Sequence, residues 1–143
     1  MNQNTQAPIR SANKPIGPRV IPAPLTLPET RQFWEAADQG KLMYKHCRAC
    51  NEPHFYPRDL CPFCWSDQTD WKTASGKGTL YSFSTMGKGE AAYTIAFVTL
   101  AEGPTMMTNL VDCDPASCKI GQAVKVVFKP SNGGHAVPMF TPA

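Results

Sequence analysis

Three patterns of apolar and polar positions follow one another along the chain. Residues 1–25 carry five prolines (Pro8, Pro15, Pro18, Pro22 and Pro24) and few large apolar residues before Val20, which predicts a disordered, proline-rich tail. At Thr26-Leu27-Pro28-Glu29 a capping box is expected, with the Thr26 hydroxyl and the Glu29 carboxylate each serving the other's backbone. Phe33, Trp34 and Ala37 then recur at helical spacing, and Gly40 stands where a left-handed cap belongs, so a helix is expected over about 27–39. Its apolar stripe should face the following module. After residue 71 the period falls to two. Runs at 79–85, 93–100, 105–111, 123–128 and 137–140 read as strands, rich in β-branched and aromatic residues and separated by glycine turns. Five short strands in this length suit a small closed barrel better than a sandwich of seven. The fold class is mainly β. Three segments follow: 1–25, 26–71 and 72–143.

The middle segment is marked by chemistry more than by period. Cys47-Arg48-Ala49-Cys50 and Cys61-Pro62-Phe63-Cys64 are two C-x2-C pairs with ten residues between them. Each pair can set two thiolates on one tight turn, and two turns facing across a hairpin supply a tetrahedron of soft ligands. Residues 41–46 would form the leading strand of that ribbon. One structural zinc per chain is the first expectation, with iron in a rubredoxin-like site as its rival. A redox dithiol is disfavoured, since two matched pairs are redundant for one exchange reaction. Four thiolates also close the metal's shell and leave no position for water or substrate.

Cys113 and Cys118 lie apart, in the loop after the third barrel strand, and read as free thiols. His46, His54 and His135 are scattered. No Ser-His-Asp set, phosphate-cradling glycine loop or paired-carboxylate motif can be singled out. The stretch His54-Phe55-Tyr56-Pro57-Arg58 concentrates rings and a guanidinium at a hairpin tip, which serves equally for contact with a partner and for packing under the helix. Tyr81, Phe83 and Phe97 alternate on strands as base-stacking residues do, but inward-facing core is their more ordinary use.

The chain has 143 residues and a formal net charge of +3, which first suggests a nucleic-acid partner. Divided along the chain, the charge is +3 on 1–25, −2 on 26–71 and +2 on 72–143. The folded part therefore lacks the basic concentration that phosphate binding needs. No apolar run reaches the roughly 18 residues of a membrane span. Without a secretory signal, the six cysteines are expected in a reducing, cytoplasmic setting.

A helix, a C-x2-C…C-P-x-C ribbon and a five-stranded barrel, in that order, resemble the DUF35 family, in which a rubredoxin-like zinc ribbon is fused to an OB-fold. The resemblance covers residues 26–143. It is carried by Phe33-Trp34, the two cysteine pairs, Tyr56-Pro57-Arg58, Gly76-Lys77-Gly78-Thr79-Leu80-Tyr81-Ser82-Phe83, the run from Ala96 to Pro104, Ile120-Gly121-Gln122-Ala123-Val124 and Pro138-Met139-Phe140. It implies that Cys47, Cys50, Cys61 and Cys64 hold zinc. Some relatives lack complete cysteine sets; this chain has all four. It further implies a non-catalytic subunit that associates with a thiolase-superfamily catalytic subunit, acting as an acyl-CoA C-acyltransferase or retro-aldolase, in a hetero-oligomer. Lys41, Lys45, Tyr56 and Arg58 would then contact acyl-CoA or the partner, cations meeting phosphates through charge-assisted bonds. The alternatives are a nucleic-acid-binding module and a rubredoxin-like electron carrier.

Overall fold

The computed structural model describes residues 18–143; the first 17 residues of the predicted tail lie outside the described part. The chain forms a short 3-10 turn at Pro28–Thr30, helix α1 at Arg31–Asp38 and a ribbon of β1 (Met43–Cys47), β2 (Pro53–His54) and β3 (Thr69–Thr73). The barrel follows as β4 (Lys77–Met86), β5 (Tyr93–Leu100), β6 (Thr105–Leu110), β7 (Ala123–Lys129) and β8 (Val137–Pro142). All five expected barrel strands are present, to within a residue or two at most ends.

α1 ends as anticipated. Gly40 sits at φ +70°, and the Gly40 and Lys41 amides donate to the Ala37 and Ala36 carbonyls at 2.9 Å each. Its start differs from the expected capping box. Thr30, not Thr26, supplies the hydroxyl, accepting from the Leu27 amide at 3.2 Å. Glu29 leaves the helix altogether: its carboxylate accepts from Arg58 Nη1 at 3.1 Å and from the Asp59 amide at 3.2 Å. A guanidinium and a free backbone amide together outbid the local cap.

In the ribbon, β1 lies between β2 and β3, antiparallel to both. β3 runs past the boundary expected at residue 71, because Trp71, Lys72 and Thr73 continue the pairing with Lys45, Tyr44 and Met43. The barrel closes in the order β4-β5-β6-β8-β7 and back to β4. Gly78 on β4 pairs with Leu100 on one side and Val124 on the other. A Cβ there would lie 2.5 Å from Val98 Cγ1 and 3.0 Å from the Thr99 carbonyl oxygen, so only glycine lets β4 pass.

Even-numbered residues of β5 point inward. Ala96, Val98 and Leu100 meet Leu80, Met106, Leu110, Val124 and Phe140 in the barrel core. Phe33, Trp34, Ala37, Leu42 and Ala74 extend the same cluster toward the ribbon. Two polar clamps reinforce the junction: Asp38 accepts from the Ala136 amide at 2.8 Å and sits 2.6 Å from His135 Nδ1, while Glu102 accepts from the Ser75 amide at 2.6 Å. These bonds hold the Asp38 carboxyl below its usual range, the Ala136 amide contributing most and the His135 contact next.

The part of the predicted tail within the described residues is attached to the barrel. Asn132 donates its amide to the Ile21 carbonyl at 2.8 Å, Pro22 bridges Asn132, and the Arg19 guanidinium lies 3.9 Å over the Tyr93 ring. Among the described residues no helix is long and apolar enough to cross a membrane.

Candidate metal centre

Each cysteine pair straddles a tight turn at one end of the ribbon. The Cys47 amide donates to the Glu52 carbonyl and the Cys61 amide to the Ser66 carbonyl, both at 2.9 Å. The residue after each pair, Asn51 and Trp65, takes a left-handed conformation (φ 60° and 64°), which turns the chain back after the second sulfur. The two turns thus repeat one local design and present their sulfurs to each other.

The four Sγ atoms of Cys47, Cys50, Cys61 and Cys64 all lie within 4.8 Å of one another, with Cys47 to Cys64 at 3.7 Å and Cys50 to Cys61 at 3.6 Å. Zinc–sulfur bonds of about 2.3 Å in a tetrahedron demand sulfur separations of about 3.8 Å, so this donor set fits such an ion. The Phe63 amide donates to Cys61 Sγ at 3.4 Å. Without a cation Cys47 and Cys50 shift in opposite directions. Backbone amides, that of Cys50 above all, lower Cys47 to about 7, while burial first and neighbouring sulfurs next push Cys50 up to about 12. Four negative sulfurs at this spacing require a positive ion among them. No histidine belongs to this sulfur cluster.

Around the centre, the aromatic tip packs inward. Phe33 meets Trp34, Phe55 and Tyr56 edge-on at centroid distances of 4.9 to 5.7 Å, and Trp34 Nε1 donates to Tyr56 Oη at 3.1 Å. The expected packing of the helix onto the ribbon is therefore present. Of the four expected contact residues, three are engaged within the fold, Tyr56 through the Trp34 bond and its ring contacts. Lys45 is only 6% exposed, donating to Thr69 Oγ1 at 3.2 Å, with Asp59 at 3.6 Å and the Trp71 ring at 4.6 Å. Arg58 is neutralised by Glu29. Lys41 is exposed, and Tyr56 lines a cleft of about 410 Å³ between helix, ribbon and barrel. Phe33, Trp34, Phe55, Met106 and Pro138 make that cleft largely apolar, and Arg19 stands within its lining. Neither the cleft nor Arg19 had a signal in the sequence, since the lining is assembled from six separate segments.

Two aromatic residues expected inside the barrel are outside it. Tyr81 is 66% and Phe97 42% exposed. The β4–β5 register steps from Leu80↔Val98 to Ser82↔Phe97, leaving Tyr81 as the extra residue of a bulge. On β5 the smaller face wins the interior, because Ala96 and Val98 fit a narrow barrel that Phe97 would overfill. Phe97 pairs across to Met107, which is 65% exposed, so Tyr81, Phe97 and Met107 form an outward apolar band.

Residues 34–70 match the family model for the rubredoxin-like zinc ribbon domain of ChsH2, and residues 71–129 that for the C-terminal OB-fold domain of ChsH2. A DUF35 domain-containing scaffold protein of Methanothermobacter thermautotrophicus is 34% identical over 109 residues, covering 71% of this chain and 82% of that one. The chain belongs to the DUF35 family. A probable enoyl-CoA hydratase alpha subunit of Thermomonospora curvata is also 34% identical, over 78% of this chain; the DUF35 chain spans 37% of that relative's length. The benzoylsuccinyl-CoA thiolase subunit BbsA of Thauera aromatica is 29% identical over 53% of this chain and 58% of its own. Among solved structures, the Ltp2-ChsH2(DUF35) aldolase superposes with a TM-score of 0.74 at 31% identity, covering 83% of this DUF35 chain and 98% of that one. Both halves of the expected fold, ribbon and barrel, are thereby accounted for.

Proposed function

We propose that this chain is the accessory subunit of a thiolase-type complex, docking on a catalytic subunit that carries acyl transfer or retro-aldol cleavage of a CoA thioester. The observation that carries this reading is the likeness to the Ltp2-ChsH2 aldolase, at 31% identity over nearly the whole of that DUF35 chain. The thiolase subunit among the relatives supports it. The chemistry agrees: the four sulfurs that dominate the ribbon form a closed set suited to holding structure.

One zinc held by Cys47, Cys50, Cys61 and Cys64 fixes the ribbon, and the ion supplies cross-linking charge and no reaction step. The CoA thioester lies at the interface between the subunits. Lys41 remains available to it and Tyr56 reaches it only as part of the cleft lining, whereas Lys45 and Arg58 act in holding the ribbon to itself and to the helix turn. The outward Tyr81, Phe97 and Met107 add an apolar band of the kind that a protein partner covers.

The test is co-expression of the chain with the thiolase-type protein encoded in the same source. A stoichiometric complex that turns over acyl-CoA, with neither half active alone, is the expected result. Full turnover by the small chain alone overturns the reading. The exposed Tyr81 and Phe97 rings also favour one second reading, single-stranded nucleic acid stacked on the barrel. A gel shift at low salt, where electrostatic affinity is greatest, decides it. A colourless protein with one zinc excludes the electron carrier.

A further inference from the structure

The two cysteines outside the metal centre are neighbours. Cys113 follows the end of β6 and Cys118 follows a short 3-10 turn at Pro115–Ser117, and their sulfurs stand 3.8 Å apart. The loop between them is built to hold that approach. The Asp114 side chain accepts from the Ala116 amide at 3.0 Å, and the Asp114 carbonyl accepts from the Ser117 hydroxyl at 2.7 Å and the Ser117 amide at 3.0 Å. Both residues are half-buried, and both pack against the barrel core. From 3.8 Å a disulfide bond of about 2.05 Å needs only a small movement of two side chains.

We propose that Cys113 and Cys118 form a dithiol site that is reversibly oxidised to an intramolecular disulfide by a low-molecular-weight disulfide such as oxidised glutathione. Cys118 is the attacking sulfur. Cys113 lies between Asp112 and Asp114, whose carboxylates oppose its ionisation. Burial is the first cause, and its Cys118 neighbour the next, of the Cys113 thiol being pushed up to about 11. In the first step the Cys118 thiolate attacks one glutathione sulfur, forming a mixed disulfide and releasing one glutathione thiolate. In the second, Cys113 loses its proton to solvent and attacks the Cys118 sulfur, releasing the second glutathione. Two protein thiols are oxidised and one glutathione disulfide is reduced to two thiols. The four ribbon sulfurs stay out of this exchange while a metal engages them.

The experiment is a redox titration of the zinc-loaded full chain in glutathione buffers, read by denatured thiol count, tryptic mapping and metal content. Oxidation should remove two of the six thiols, take two hydrogens from the single tryptic peptide carrying both residues, leave zinc in place and reverse with dithiothreitol. The variant C113S should instead accumulate a glutathione adduct on Cys118. Loss of thiols from the ribbon with release of zinc overturns the proposal. So does a wild-type adduct that persists on Cys118, or a disulfide formed only between chains. Should C113S fail to fold, the mapped wild-type peptide decides alone.

Discussion

The ribbon and the barrel are held together by different physics. The barrel closes every strand onto a neighbour and fills its interior with Leu80, Ala96, Val98, Leu110, Val124 and Phe140. The ribbon has three short strands, one of them two residues long, and the fully buried side chains at its metal end are Cys47 and Cys61. Below about 40 residues an apolar core seldom suffices, and a metal takes its place. A β-barrel that supports itself and a ribbon that depends on its ion can share one chain because α1 and its aromatic cluster join the two.

The largest effect should come from removing the metal. Structural zinc supplies on the order of 10 kcal/mol to small modules, more than a typical domain can spare. Chelation, or Cys61→Ser, is expected to abolish ordered structure at residues 43–73 while slow amide exchange persists in β5 and β6. Exchange protection lost from both regions together would make ribbon and barrel a single cooperative unit.

The complementary test strikes the barrel. Phe140 is fully buried at the seam where β8 meets β6, pairing with Leu110, and its carbonyl accepts from the Val111 amide at 2.8 Å. Phe140→Ala should cost about 3–5 kcal/mol, read by urea denaturation, with zinc still bound at one per chain. Metal loss in that variant would show that the ribbon leans on the barrel for its shape.

Much of this contrast was legible in the sequence, for reasons that differ between the two regions. Strand positions follow from alternation, and the metal site follows from cysteine spacing, because both are local rules that the chain obeys wherever it folds. What could not be read is where locally suited residues were claimed by distant partners. Glu29 is an ordinary capping residue until Arg58 and the Asp59 amide arrive from the ribbon. Lys45 reads as a surface cation, yet its position on the central ribbon strand, beneath Trp71, buries it. Tyr81 was displaced outward by a register step that no single strand encodes. Residues 18–25 lack apolar pattern, and their attachment rests on Asn132 and Tyr93 far along the chain.

The joint between the regions should respond more weakly. Trp34→Phe keeps the buried ring but removes the Nε1 donor to Tyr56 Oη at 3.1 Å. A loss of about 1 kcal/mol is expected from one hydrogen bond of this kind. Differential scanning calorimetry tests it: a looser joint should separate the ribbon and barrel transitions. An unchanged single transition would place the coupling in Phe33 and the Asp38 clamp instead.

The smallest expected effect belongs to His54, and it distinguishes the regions by pH. This ring is 2% exposed on β2, and its two nitrogens have no hydrogen-bond partner among the described residues. Burial lowers its pKa from the ordinary value of 6.5, the Arg58 backbone opposing the shift and Lys45 adding a smaller push downward. The folded ribbon therefore holds the ring neutral, whereas the unfolded chain takes up a proton below about 6.5. The contribution is fully present above that value and falls away as pH drops from there toward the lower folded pKa. Ribbon stability should decline across this window in the zinc-loaded protein while the exchange protection of β5 and β6 stays level. His54→Leu should flatten the part of the slope that zinc release does not explain, which zinc-saturated titrations separate. A slope that survives the substitution under saturating zinc would assign the whole pH dependence to protons competing with the metal for its four sulfurs.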